Sequence, residues 1–271
     1  MKSYIRQKTI YCGQRYREVD IFPYTDTQKY SSGKRPRAVK EKISEPKQRN
    51  LNDKNAKRYL TQLVNGNFTE SDLHISLTYA PENLPRTVED AERMAGNFIR
   101  RLKYHRGKQD LPPLKYILVT SYRDGADGTP ARLHHHIIVN GGIDRDAIED
   151  IWRKPRRKNQ EKGERLGYIN ADRLQSENGT YAALTRYITN QSNGKKRWSS
   201  SHNLIRPAAK TNDSRYSRRK VEKLAKQPPP RSYWEKKYPG WTLTDDLYGA
   251  EYIYNDATGD WSIYLKLRRM E

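Results

Sequence analysis

Apolar positions along the chain fall into short stretches with two periods. QKTIYCGQRYREVDIFPY (7–24) alternates apolar and polar residues on either side of Cys12-Gly13, which predicts a hairpin. SSGKRPRAVKEKISEPKQRN (31–50) has no periodicity and reads as an exposed basic loop or arm. Leu60, Leu63 and Val64 then recur at helical spacing and predict a short helix ending near Gly66. LHISLTYAP (73–81) is a strand stopped by Pro81. The next helix starts at Thr87, with Asp90 in the capping-box position and Met94, Phe98 and Leu102 on one stripe. LKYILVTSY (114–122) and LHHHIIVN (133–140) are strands joined by the polar loop RDGADGTPAR. DRDAIEDIW begins a helix, RLGYINADRL reads as a strand, and GTYAALTRYITNQ (179–191) as a helix. Residues 71–192 therefore read β-α-β-β-α-β-α, an α+β arrangement with adjacent strands and helices packed beside them. Near the C-terminus AEYIYN and DWSIYLKL alternate around DATG, a second hairpin.

Composition narrows what such a fold works on. Lys and Arg total 53 against 32 Asp and Glu, a formal net charge of +21, which calls for a polyanionic partner. The apolar fraction of 34% is low, yet 20 Tyr and five Trp argue against a disordered chain. Aromatic rings interleaved with basic residues also suit a surface that stacks bases while holding phosphates. The single cysteine, Cys12, excludes an internal disulfide and a Cys-rich zinc module. No run is long and apolar enough for a membrane span, and the opening residues lack a signal-type apolar core, so a reducing cytoplasm and no membrane partner are expected. Neither a P-loop nor a G-x-S-x-G nucleophile elbow is present.

The densest candidate chemistry lies in RLHHHIIVNGG (132–142). Side chains alternate faces along a strand, so His134 and His136 share one face while His135 points to the other with Ile137 and Val139. Two neutral imidazoles on one face are good ligands for a divalent cation and leave coordination positions open for substrate oxygens. A bound cation polarises a phosphodiester, but a nucleophile is still needed. With Ser and Cys triads unsupported, the tyrosines of 179–191 are the remaining choice. Tyr181 lies six residues before Tyr187, about 120° around the helix, so the two do not share a face. On Tyr187's face stand Ala183, Leu184 and Gln191, which are expected to lie against the sheet while the phenol reaches the histidines.

HISLTYAPENLP, KYILVTSYRDGADGTPARLHHHIIVNGG, LTRYITNQ and GKKRWSSSHNLIRP together resemble the rolling-circle replication initiators of phages, plasmids and related mobile elements, members of the HUH endonuclease superfamily. The similarity runs in order from about residue 45 to the C-terminus. It implies a five-stranded antiparallel sheet with flanking helices, spanning 60–205. Residues 1–59 would be an N-terminal hairpin and basic arm, and 206–271 a basic helix and C-terminal hairpin extension. It further implies that His134 and His136 hold Mg²⁺ or Mn²⁺. Tyr187, which matches the tyrosine of the family's Y-x-x-K motif, would attack a scissile phosphate of single-stranded or hairpin origin DNA. The products would be a free 3′-OH and a 5′-phosphotyrosine, with a host helicase and polymerase as partners. Arg186, Lys195, Lys196 and Arg197 are the implied DNA-binding residues.

Two positions depart from the family pattern. Ser121 stands where relatives carry a glutamate metal ligand, and a hydroxyl is a poorer cation ligand than a carboxylate. The third ligand is then open among Ser121, Asp124, Asp127 and His74. Asn190 replaces the lysine that follows the tyrosine, leaving Arg186 or Lys195 to supply positive charge. Both changes touch chemistry rather than fold. They keep a binding-only origin-DNA relative in view, beside a relaxase or transposase of the same superfamily.

Overall fold

The computed structural model describes residues 3–26, 46–124, 130–190, 198–245 and 249–270, with the side chains of 46–49, 123–124, 130–132 and 190 excepted. The chain divides into two compact units, one formed by 68–176 and 181–204, the other by 1–67, 177–180 and 205–271.

The first unit follows the order read from the sequence: β3 (Leu73–Leu77), α2 (Val88–Lys108), β4 (Tyr116–Asp124), β5 (Pro130–Val139), α3 (Arg145–Ile151), β6 (Ile169–Arg173) and α4 (Ala182–Asn190). A two-residue strand, β7 (Ser199–Ser200), which periodicity cannot register, completes a five-stranded sheet in the order β6-β3-β5-β4-β7. Every pairing in it is antiparallel. The helix starts follow local chemistry. Thr87 accepts a hydrogen bond from the Asp90 amide, and Asp144 accepts one from the Asp146 amide, satisfying amides that a helix's first turn leaves unbonded.

Because β5 is paired on both edges, its alternation sorts the unit into two layers. Ile137 and Val139 face α2 and α3, where Ile75, Leu77, Phe98, Leu102, Ile148 and Trp152 form the main core. Trp152, fully buried, donates from Nε1 to the Thr78 carbonyl at 2.8 Å and packs edge-on to Phe98 and Tyr79. Ile117, Val119 and Ile138 lie on the opposite face, where α4 rests beside β4.

The second unit joins the two chain ends. β1 (Ser3–Cys12) and β2 (Tyr16–Thr25) form the predicted hairpin, turning at Gly13 with φ +62°. A Cβ on Gly13 would stand 2.3 Å from the Gly66 carbonyl oxygen, so the turn admits no side chain there. The sheet runs β10 (Ala250–Asn255), β11 (Asp260–Arg269), β2, β1 and β8 (Ala208–Asn212), with β9 (Trp241–Leu243) also paired to β11. The sequence divides these residues into separate extensions, 1–59 and 206–271, whereas the structure makes them one sheet. The reason is that an isolated hairpin buries too little to stand alone. One face of this sheet packs on Val221 of α5 (Arg218–Lys226) and Trp234 of α6 (Arg231–Lys237). On the other lies α1 (Pro46–Asn67), longer than the predicted short helix and beginning inside the stretch read as a loop or arm. The rest of that stretch, 31–45, lies outside the described residues.

Arg58 fastens α1 by donating to Glu18 and Asp20 of β2, both at 2.6 Å, while Gln62 and Tyr16 also donate to Glu18 at 2.7 and 3.0 Å. Two buried carboxylates would otherwise carry a large desolvation cost. Cys12 lies in the same region, and burial followed by the Glu18 charge pushes its thiol up to about 12. A group whose pKa rises this far stays protonated across the neutral range. Cys12 is therefore expected to resist a thiol-specific disulfide reagent at pH 8 and to react at the rate of a free thiol only in denaturant. Fast native-state labelling would overturn this placement.

Candidate functional site

Three strands bring the imidazoles together. His134 lies opposite Ser121 of β4, and His136 lies between Val119 of β4 and Ser76 of β3. Directly opposed residues on an antiparallel pair share a face, so Ser121, His134, His136, Ser76 and His74 all project to the α4 side. The β4–β5 register shifts between Ser121 and Arg123, placing an extra residue in β5 just before His134. Such bulges re-aim neighbouring side chains.

The geometry is close. His74 and His136 stack at 5.2 Å between centroids, and His74 Nε2 meets His136 Nδ1 at 3.1 Å. Burial lowers the His74 pKa against an opposing pull from Asp172, which favours the neutral ring that a bond between two ring nitrogens requires. His134 and His136 meet edge-to-face at 5.0 Å. Tyr187 comes from α4, and its ring lies 5.3 Å from that of His136, tilted by 69°. The phenol is 53% exposed, so it stands at the rim of the site where a substrate can reach it.

On the opposite face His135 is fully buried and held at both nitrogens. The Tyr79 hydroxyl lies 2.8 Å from Nε2 and the Thr120 hydroxyl 3.0 Å from Nδ1. Burial first, and then its two histidine neighbours, push its pKa down to about 3. This ring is therefore a neutral packing group that anchors β5 from behind. Tyr79 and Thr120 are the residues that sequence reasoning misses. Thr120 is the register partner of His135, a relation that appears only once the pairing is known.

The structure places the sequence-derived residues as follows. Tyr187, His134, His136, His74 and Ser121 come together, and Arg186 is exposed beside Tyr187 on α4. The inward stripe of α4 differs from the expected Ala183 and Leu184, which are half-buried, while Gln191 lies outside the described residues. The buried row is Thr185, Ile188 and Thr189 of α4 together with Tyr181, which immediately precedes the helix one turn before Thr185. Tyr181 is thus a core residue. Lys195, Lys196, Arg197 and Asp127, with the side chains of Asp124 and Asn190, lie outside the described residues.

A divalent cation fits the donor set in part. Two imidazoles share a face, and the fully buried Ser121 hydroxyl beside them has no hydrogen-bond partner among the described residues. An orphaned buried hydroxyl points to a missing polar group. Among the described residues no three His, Cys, Asp or Glu side chains are arranged to hold a metal ion. No described helix is long and apolar enough to cross a membrane. Comparison of the chain with family models, curated proteins and solved structures finds no match.

The serine makes a direct test. Ser121→Glu puts a longer, charged side chain into a fully buried position, which should lower the melting temperature without metal. If Ser121 faces a cation position, Mn²⁺ should then raise the melting temperature of the variant more than that of the natural chain. Equal Mn²⁺ responses in a scanning-calorimetry titration would remove Ser121 from the site.

Proposed function

We propose that this chain is a metal-dependent DNA strand transferase of the HUH type, which nicks and rejoins single-stranded or hairpin origin DNA to start rolling-circle replication. The observation that carries the reading is the approach of the Tyr187 ring to within 5.3 Å of His136, with His134 on the same face. A solvent-reachable phenol beside two imidazoles on one face is, in this reading, a nucleophile placed next to cation ligands. The net charge of +21 supplies the affinity for a polyanion.

In this reading His134 and His136 hold Mg²⁺ or Mn²⁺, which when bound polarises the scissile phosphate and offsets its developing charge. The Tyr187 oxygen attacks phosphorus as its proton passes to solvent. The bond from phosphorus to the 3′ oxygen breaks, and that oxygen takes up a proton to become the 3′-OH. The 5′ side remains esterified to Tyr187, and attack by a 3′-OH reverses the step and rejoins the strand. In this reading His136 donates from Nδ1 to His74 Nε2, which fixes the orientation of its ring and leaves Nε2 as the cation ligand, as outer partners of metal-binding histidines do. Arg186, adjacent and exposed, holds backbone phosphate. A host helicase and polymerase then extend the free 3′ end.

Incubation with circular single-stranded DNA and Mn²⁺ should yield a covalent adduct at Tyr187, located by mass spectrometry after nuclease trimming. Tyr187→Phe keeps the ring and removes only the attacking oxygen, so it should fold, bind DNA and give no adduct. Tyr181→Phe should still form it. His134→Ala or His136→Ala should cost more Mn²⁺ affinity than the roughly 10–100-fold typical of losing an outer partner. DNA binding should change little, since phosphate contacts dominate it. An adduct on another residue would displace Tyr187 from the mechanism. DNA binding without any adduct would favour the binding-only relative to which Ser121 and Asn190 point.

A further inference from the structure

Outside the histidine site, the first unit carries a groove of about 670 Å³ between α2, α3 and the segment that follows α3. Six cations line it (Arg100, Arg101, Arg153, Lys154, Arg156 and Lys162) and the single carboxylate among its lining residues is Asp150. Even with Glu164, which pairs with Lys154 at 3.0 Å, the groove is strongly positive.

The groove is a built feature. Arg101 donates to the carbonyls of Ile151 and Arg153 at 2.9 and 2.7 Å, which ties α2 to the end of α3. Asp150 accepts from Arg153 at 2.5 Å and pairs with Lys162 at 2.6 Å. The segment closes on itself through the Arg153–Arg165 bridge and the Lys154 amide bonded to the Glu164 carbonyl at 2.8 Å. A Cβ on Gly163 would stand 2.0 Å from the Lys154 carbonyl oxygen, so the closure depends on glycine. The closed loop, WRKPRRKNQEKGERL (152–166), exposes Arg156, Arg157 and Lys158.

We propose that this groove is a second DNA-binding surface, which grips the phosphodiester backbone of duplex DNA on the helical layer of the sheet, away from Tyr187. The charge identifies a polyanion, because fixed cations in a concave wall concentrate field toward one. The lining chooses between strand forms. Single-stranded DNA is held by rows of aromatic rings that stack on its bases, whereas this groove is lined by one imidazole, His105, and by no Phe, Tyr or Trp. Cations without stacking platforms read backbone alone, the contact that a duplex with internal bases offers. Location agrees, since α2 and α3 cover the face of β5 that carries His135, and the groove lies on those helices. The assignment does not depend on the nicking reading, as it requires no chemistry at Tyr187.

The test is fluorescence anisotropy with a short labelled duplex of arbitrary sequence, and with a single strand of the same length. Arg100→Glu/Arg156→Glu reverses two exposed charges that take no part in the core. Duplex affinity should fall at least 10-fold, with a smaller fall for the single strand. The slope of log affinity against log salt should flatten by about 0.9 for each phosphate that the variant no longer neutralises. Arg100→Gln/Arg156→Gln should give a weaker shift in the same direction. Arg219→Glu/Lys223→Glu makes the same change of charge on exposed α5 and should leave the duplex preference intact. An equal loss in that variant would reduce the effect to net charge and overturn the groove. So would unchanged duplex binding, or a loss confined to the single strand. Adduct formation on single-stranded DNA, measured in parallel, reports on Tyr187 alone, so either reading can fail without the other.

Discussion

Strand β5 is hydrogen-bonded along both edges, to β3 and to β4, and this double pairing is the constraint on which the first unit depends. With both ladders formed, the strand cannot rotate, and its two-residue period becomes a permanent division of space. His135, Ile137 and Val139 are committed to the core, and His134 and His136 to the face where Tyr187 stands. A slip of one residue would turn the two site histidines into the core beneath α2 and α3 and the apolar set toward α4, so core formation and site formation are one event.

Holding an imidazole in that core has a cost, and the structure shows how it is offset. His135 meets a hydroxyl at each nitrogen, Tyr79 at one and Thr120 at the other, in a neutral ring. Trp152 seals the pocket and bonds the Thr78 carbonyl. A fully satisfied polar cluster of this kind adds rigidity, whereas a half-satisfied one would be among the weakest points of the core. The cluster lies directly behind the site, so the rigidity it gives to β5 passes to His134 and His136 as orientation.

The two faces of the same sheet then differ in chemistry, one covered by α2 and α3 and the other met by α4. The α4 side gathers His74, His134 and His136 beside the Tyr187 phenol. The other gathers guanidinium and ammonium groups around a groove lined by no Phe, Tyr or Trp. Four of the six lining cations come from α3's trailing segment, whose closure depends on backbone pairing and on Gly163 rather than on apolar burial.

Much of this was legible in the residues. The order β-α-β-β-α-β-α follows from period, from Pro81 and from the cap at Thr87, all of which act within a few residues. The shared face of His134 and His136 needs only the geometry of a strand, and the hairpins need only alternation about a turn. What tertiary structure alone decided was every relation between distant segments. The joining of β1–β2 with β10–β11 in one sheet, the two-residue edge strand at Ser199, the stacking of His74 on His136 and the turning of Tyr181 inward all depend on pairing across long stretches of chain. Period fixes which way a side chain points from its own backbone. Only the packed sheet decides what it points at, because register and neighbour are set by the summed burial of whole faces rather than by any local preference.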